Sequence, residues 1–132
     1  MKKNAVAHFE IYADNPSKLQ EFYANLFDWS FEQVPGMEYT FIKTVETDGQ
    51  GMPSQSGGIN GGMITRPAGY TDRAWVSYVN VESVDASTAQ ATSLGAKVMR
   101  PKAAVPGMGW FVMLTDPQGN IFAIWQTDSA AK

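Results

Sequence analysis

Two kinds of hydrophobic spacing alternate along this chain. Residues 5–12 alternate apolar and polar positions and predict a strand, whereas residues 19–26 repeat apolar side chains at the spacing of one helical face. Asn15 and Pro16 precede that face, in the order expected of an N-cap residue and a proline at the first helical position. Three further strand-like runs follow, and the same series of patterns then repeats from residue 75 onward.

The predicted elements follow the order β-α-β-β-β in each of two modules, at about residues 5–64 and 74–126 of a single domain, 1–132. The strands are predicted at residues 5–12, 30–34, 39–45, 57–64, 75–81, 97–103, 110–115 and 120–126, and the second helix at 84–94. This order predicts an α+β fold in which two tandem βαβββ modules form a curled mixed sheet around a groove. Residues 48–56, rich in Gly, Pro, Gln and Ser, are predicted to form a mobile loop, and residues 127–132 a frayed tail.

Composition excludes several classes of protein. The net charge is −3 without a basic cluster, so nucleic acid is not an expected partner. Cysteine is absent, which excludes disulfides, thiolate metal sites and cysteine nucleophiles. No run of about 18 apolar residues is present, and His8 and Glu10 interrupt the apolar stretch that a signal peptide would need. We therefore expect no membrane contact and, by default, a cytoplasmic location.

The most specific motif is a tight turn that feeds a buried strand near the end of the chain. Asp116-Pro-Gln-Gly-Asn120 begins the turn with Asp and Pro and supplies a glycine for a positive φ. This segment resembles the final hairpin of the vicinal oxygen chelate superfamily, which includes glyoxalase I, extradiol dioxygenases and bleomycin-resistance proteins. The resemblance spans residues 5–126, and the glycine-rich run at 57–67 further resembles a bacterial glyoxalase-like subgroup that lacks the usual metal ligands.

The resemblance implies four metal-ligand positions, and only one of them carries a ligand here. His8 matches the first position, but the third falls at Val76 and the fourth at Ala123. The second lies near residues 58–62, and no acidic residue occurs between Asp48 and Asp72. His8 is also the sole histidine, so two histidines of one chain cannot share a metal. We therefore expect no metal and no cofactor.

The same resemblance and the period of two along strands predict a ligand-binding face. His8 and Glu10 share one face of the first strand. The predicted ligand-binding residues are His8, Glu10, Asn60, Tyr78, Phe111, Met113 and Trp125. His8 and Glu10 could bind a ligand or act as acid and base, or they could form an internal hydrogen bond that only fixes the strand.

These observations favour a glyoxalase-like or bleomycin-resistance-like protein that binds a small organic molecule in an apolar groove without metal. Glu10 and the negative net charge would suit a cationic ligand. The alternatives are a lyase, isomerase or dioxygenase of the same superfamily with an atypical site built on His8 and Glu10, and a module whose groove has lost its function. We also expect a homodimer, because sheet edges and an apolar face need covering and similar proteins commonly pair.

Overall fold

Residues 3–132, which the computed structural model describes, form the predicted order of elements. The elements are β1 (Val6–Ala13), α1 (Pro16–Phe27), β2 (Ser30–Gln33), β3 (Tyr39–Lys43), β4 (Gly61–Thr65), β5 (Val76–Asn80), α2 (Val84–Ser93), β6 (Lys97–Val105), β7 (Gly109–Thr115) and β8 (Ile121–Thr127). The α+β class is therefore confirmed. Neither helix in this part of the chain combines the length and the apolar character that crossing a bilayer requires.

The chain divides into two compact units whose border differs from the predicted modules. The N-terminal unit is His8–Trp75, and the C-terminal unit combines the described residues up to Ala7 with Val76–Lys132. The border lies inside β1 because the residues before His8 contact the second half of the chain: the carbonyl of Ala5 accepts a hydrogen bond from the backbone N–H of Asn80 at 2.9 Å.

The sheet of the N-terminal unit has the strand order β2-β3-β4-β1. Strands β1 and β4 are parallel, while β2–β3 and β3–β4 are antiparallel. One face of this sheet packs on α1 through a buried core of Ile11, Ala13, Ile42 and Met63. Because successive side chains along a strand point to opposite faces, the residues between these core positions lie on the other face.

The sheet of the C-terminal unit has the order β5-β8-β7-β6, with β5 and β8 parallel and the other pairs antiparallel. Its core consists of Val84 of α2 together with Val112, Leu114 and Ile124 from β7 and β8. Phe122 packs against the same core. The opposite face of β7 and β8 is thereby left to Phe111, Met113, Ala123 and Trp125, which alternate with the core positions.

Local signals at the start of α1 behave as predicted. Asn15 has extended backbone angles, φ −135° and ψ 93°, and its side chain accepts a hydrogen bond from the N–H of Lys18 at 3.2 Å. Pro16 occupies the first helical position, where no N–H is needed. The helix ends at Asp28, which adopts the left-handed conformation with φ 58° and donates its N–H to the carbonyl of Ala24.

Two predicted segments differ in the structure. Strand β4 begins at Gly61 rather than at residue 57, because Gly57 has a φ of 81° and lies in a turn that is closed by the hydrogen bond from the N–H of Gly58 to the carbonyl of Gln55. The predicted frayed tail is also wrong. Trp110 Nε1 donates a hydrogen bond to Asp128 at 2.9 Å, and Ala131 is only 3% exposed. These long-range contacts tie the last residues to the hairpin of β7.

Candidate functional site

Three side chains of the N-terminal unit form a hydrogen-bonded group that we call the polar cluster: His8, Glu10 and Tyr39. The Tyr39 hydroxyl donates a hydrogen bond to Glu10 Oε2 at 3.0 Å. The same hydroxyl lies 3.0 Å from His8 Nε2. Since His8 Nε2 and Glu10 Oε2 are 3.6 Å apart, the phenol is the group that bridges them.

Strand register places the members of the polar cluster on one face. His8 and Glu10 are two residues apart on β1, and Glu10 pairs with Gly62 of β4. Gly62 in turn pairs with Phe41 of β3, two residues from Tyr39. Residues paired in register share a face, so the polar cluster lies on the side of the sheet opposite the core that packs on α1.

Gly62 makes room for the phenol. A Cβ atom built at this buried glycine would overlap the hydroxyl and ring of Tyr39. Phe41 packs its ring at 81° to that of Tyr39, with ring centres 5.6 Å apart, and supports the ring from its own strand. Absence of a side chain at Gly62 is thus what allows Tyr39 to reach His8 and Glu10.

Electrostatics keep Tyr39 protonated. Burial raises the pKa of Tyr39 well above its usual range, and the negative charge of Glu10 and the hydrogen bond to it raise that pKa further. The side chain of Glu10 is 13% exposed and that of His8 is 31% exposed. Of these two side chains, His8 is therefore the more open to solvent.

Asn60, predicted as a polar point of the groove, supports the backbone instead. Its side-chain oxygen accepts hydrogen bonds from the N–H groups of Thr44 at 2.8 Å and Val45 at 3.1 Å. These bonds fix the chain where it leaves β3 and enters the loop toward β4. A ligand could therefore reach only the amide nitrogen of Asn60, and a binding role for this residue stays a prediction.

The predicted aromatic residues lie together on one face of the C-terminal sheet. Tyr78 pairs with Ala123, Met113 also pairs with Ala123, and Phe111 pairs with Trp125. Tyr78 and Met113 are buried, at 4% and 2% exposure, while Phe111 and Trp125 are partly buried. This face, formed by Tyr78, Phe111, Met113 and Trp125, is the aromatic face named below.

Neighbouring groups limit how the aromatic face could be used. The guanidinium of Arg100 lies over the ring of Phe111, 4.9 Å from its centre, and so already covers that ring with a cation. Trp125 Nε1 donates to the hydroxyl of Thr127 at 3.1 Å, which orients the indole. A Cβ at Gly109 would collide with Trp125, so this glycine gives the indole its space. Trp125 is thus the ring best placed to meet a ligand.

The residues do not fit the metal that the superfamily resemblance implies. Within residues 3–132, no group of three or more His, Cys, Asp or Glu side chains is arranged to hold a metal ion. Tyr39 takes the space beside Gly62, and the two other implied positions, Val76 and Ala123, are buried apolar side chains. A neutral phenol whose pKa is raised is a poor metal ligand.

The loop at residues 48–56, predicted to be mobile, carries its own internal bonds. Asp48 Oδ1 accepts from the N–H groups of Gln50 at 2.8 Å and Met52 at 3.0 Å, and Ser54 donates its N–H and hydroxyl to the carbonyl of Glu46. The mobility of this loop stays a prediction.

Two surface cavities lie away from the predicted ligand residues. One of about 430 Å³ sits beside the start of α1 and is lined by residues that include Tyr12, Lys18 and Arg66. The other, of about 310 Å³, lies between α2 and β6 and is lined by residues that include Thr88 and Lys102. Neither of these two cavities contains a member of the polar cluster.

Sequence reasoning missed Tyr39 and Gly62 as members of the site. Tyr39 falls within the predicted strand at residues 39–45 and Gly62 within the glycine-rich run, but neither is among the predicted ligand-binding residues. The available signal was the alternation of β3, which puts Tyr39 and Phe41 on a common face. That signal names a face but cannot say that this face adjoins Glu10, because the pairing of β1, β4 and β3 is not written in local spacing.

Comparisons with known proteins agree on one family. Residues 8–125 match the family model described as a glyoxalase-like domain. The chain is 29% identical over 118 residues to the Mycobacterium tuberculosis protein named "Putative glyoxylase CFP32", across 87% of this chain and 41% of that protein. It thus spans less than half the length of the curated relatives it matches.

Solved structures share the fold at low sequence identity. A glyoxalase/bleomycin resistance protein/dioxygenase superfamily member from Vibrio splendidus has a TM-score of 0.61 and 11% identity, over 96% of this chain and 100% of that one. A Streptomyces coelicolor methylmalonyl-CoA epimerase variant in complex with 2-nitronate-propionyl-CoA has a TM-score of 0.62 and 13% identity, over 92% of this chain and 96% of that one.

The raised pKa of Tyr39 predicts a specific pH dependence of stability. An unfolded tyrosine ionises near pH 10, whereas folded Tyr39 resists ionisation, so the stabilisation is fully present below about pH 10 and is lost as the pH rises above it. Urea unfolding at about pH 8 and pH 11 should show a larger loss of unfolding free energy in the native chain than in Tyr39→Phe. Equal losses in the two proteins would contradict the assignment.

Proposed function

Because the chain belongs to the glyoxalase-like domain family, we propose that it binds a small organic molecule without a metal and that the polar cluster anchors this ligand. The observation that carries the proposal is the phenol bridge between His8 and Glu10, which occupies the space beside Gly62. A partly buried carboxylate held by a phenol is a group of defined position and charge, as a specific binding site requires.

The chemistry of the polar cluster favours a ligand that donates hydrogen bonds. Glu10 supplies carboxylate oxygens, which only accept hydrogen bonds when ionised. Its side chain is 13% exposed, so its charge is screened less by water than that of a surface carboxylate. An amine or ammonium group on an apolar body is the ligand class that best matches this charge.

A second candidate function is acid–base catalysis by the same three residues. The observation that favours it is the continuous hydrogen-bonded path from His8 through Tyr39 to Glu10, along which a proton can be passed. In that case the chain would be a metal-independent isomerase or lyase. The epimerase likeness reaches the fold alone, and a protein that binds an amine tightly but turns over no substrate would favour the binding function.

A matched pair of small probes tests the proposed ligand class. 2-Phenylethylamine and 3-phenylpropionate have similar apolar bodies and opposite charges. Titrated into protein labelled on its sole histidine, the amine should shift the His8 ring resonances at concentrations roughly tenfold lower than the carboxylate, which corresponds to about 1.4 kcal/mol. Glu10→Gln keeps the shape and should remove the preference. Equal binding of both probes, or preference for the carboxylate, would exclude Glu10 as the anchor.

The absence of a fitting ligand set predicts metal-independence. Purified protein dialysed against buffer should retain less than a stoichiometric amount of Zn, Ni, Mn or Fe, and added metal should not shift the His8 resonances. The purified protein should also fail to convert the glutathione hemithioacetal of methylglyoxal, because that reaction uses a metal to stabilise an enediolate. One equivalent of metal that disappears in His8→Ala would overturn the metal-free proposal.

Opposite faces of β8 provide a paired test of the aromatic face. Phe122→Ala should lower the free energy of unfolding by about 3–5 kcal/mol, because Phe122 packs on the α2 core. Trp125→Ala should cause a smaller loss, because Trp125 lies on the aromatic face, away from that core. Urea unfolding of the two variants measures both losses. A larger loss in Trp125→Ala than in Phe122→Ala would contradict the assignment of the two faces.

A further inference from the structure

The hydrogen bonds of the polar cluster can be assigned a direction. The Tyr39 hydroxyl has one proton and, because the oxygens of an ionised Glu10 can only accept, that proton is donated to Glu10 Oε2. The phenol oxygen can then only accept from its second neighbour, His8 Nε2, at 3.0 Å. His8 Nε2 must therefore carry a proton, and in a neutral imidazole the other nitrogen, Nδ1, is then bare.

We propose that Tyr39 is a positioning residue that holds neutral His8 in the Nε2-protonated form, and that Gly62 is required because it lets the phenol reach that position. The functional meaning of this arrangement rests on the proposed ligand site. The arrangement itself is a property of the protein without ligand, so the two can fail separately.

The phenol is the group that can fix the tautomer from the Nε2 side. The direct distance from His8 Nε2 to Glu10 Oε2 is 3.6 Å, beyond the usual length of an N–H to oxygen hydrogen bond. The Tyr39 oxygen, at 3.0 Å from His8 Nε2, is within that length. The edge-on packing of Phe41 supports the ring of Tyr39, and the lack of a Cβ at Gly62 leaves the space that the phenol occupies.

This arrangement assigns different roles to the two nitrogens of His8. Nε2 is a donor committed to Tyr39, so acceptance of a proton or of a hydrogen bond by neutral His8 must use Nδ1. A ligand that approaches Nε2 would have to displace the phenol, and with it the bond to Glu10. Tyr39 would therefore set which side of the imidazole takes part in recognition.

The same hydrogen bonds drawn in the opposite direction are a distinct arrangement of the polar cluster. A protonated Glu10 could donate to Tyr39, and Tyr39 could donate to a bare His8 Nε2. His8 would then carry its proton on Nδ1. The heavy-atom distances are compatible with both directions, but the spectra of the imidazole nitrogens are different for the two, since a protonated and a bare nitrogen resonate in separate ranges.

The sole histidine allows a direct test. Nitrogen-15 spectra of the histidine-labelled full chain, recorded without ligand at about pH 8, report on His8 alone. An unperturbed imidazole is neutral at that pH. We expect Nε2 to be protonated and Nδ1 bare, with little of the opposite form. A predominantly Nδ1-protonated ring, or an even exchange between the two forms, would overturn the proposal.

Two variants separate positioning from simple structural support. Tyr39→Phe removes one oxygen and keeps the ring, and Gly62→Ala should displace the whole phenol. Both should raise the Nδ1-protonated fraction of His8 several-fold, and the double variant should raise it no further than Tyr39→Phe does. A Tyr39→Phe protein that keeps the native His8 spectrum would refute the positioning role, even if Gly62→Ala fails to fold.

Gly58→Ala is the matched control for added volume at a glycine. A Cβ at Gly58 would press on Val45, so this variant also overpacks a tight position, but it does not touch the polar cluster. It should lower stability and leave the His8 spectrum unchanged. If it changed the spectrum as much as Gly62→Ala, the effect at Gly62 would come from general strain, and the link to Tyr39 would be wrong.

The outcome is independent of ligand identity. Failure of 2-phenylethylamine to bind would reject the proposed function while leaving the His8 spectrum and its response to Tyr39→Phe as expected. Conversely, a ring without a fixed tautomer would reject the positioning role even if the amine binds through Glu10.

Discussion

The parallel pairing of β1 with β4 is the constraint on which the polar cluster depends. It places Glu10 beside Gly62, and the antiparallel pairing of β3 with β4 then brings Tyr39 over the same glycine. Since side chains alternate along a strand, a slip of one residue in either register would send the phenol or the carboxylate to the α1 core. The buried Ile11 and Met63 on that core face hold the register, so packing on one face positions chemistry on the other.

Features that depend on neighbouring residues could be predicted from the sequence. The Asn15 cap, Pro16, and the Asp116 turn, in which the carboxylate accepts from the N–H groups of Gln118 and Asn120, are all made by groups within a few positions. Features that depend on distant partners could not. A frayed tail was predicted because the local sequence around Asp128 shows no partner for its carboxylate. Its partner, Trp110, lies 18 residues away in the sequence.

The same division explains what was known of the candidate site. Alternation alone puts His8 and Glu10 on one face, and the turn that leads into β8 sets the phase of Trp125. Asn60 was predicted as a ligand-binding residue from its position in the glycine-rich run. Its backbone partners, Thr44 and Val45, could not be predicted from local sequence. Tyr39 needed the registers of three strands together, which is why a residue central to the cluster was predicted only as an aromatic of β3. The ligand of the protein, its assembly as a homodimer and its catalytic competence stay predictions.

Tyr39 and Gly62, which sequence reasoning did not identify as site residues, also restrict each other, because the phenol fills the space beside the glycine. Any side chain at residue 62 begins with a Cβ, and that atom would overlap the Tyr39 phenol in this backbone. A carboxylate at 62 and a phenol at 39 are therefore incompatible, so this strand position offers either a charged ligand group or a bridged His8–Glu10 pair. Removing one member of a partly buried hydrogen-bonded group removes a hydrogen bond from its partners, at a cost of about 1–3 kcal/mol. A change at residue 62 alone is thus penalised twice, by overlap and by the lost bonds, and a carboxylate at residue 62 would also require a smaller side chain at residue 39.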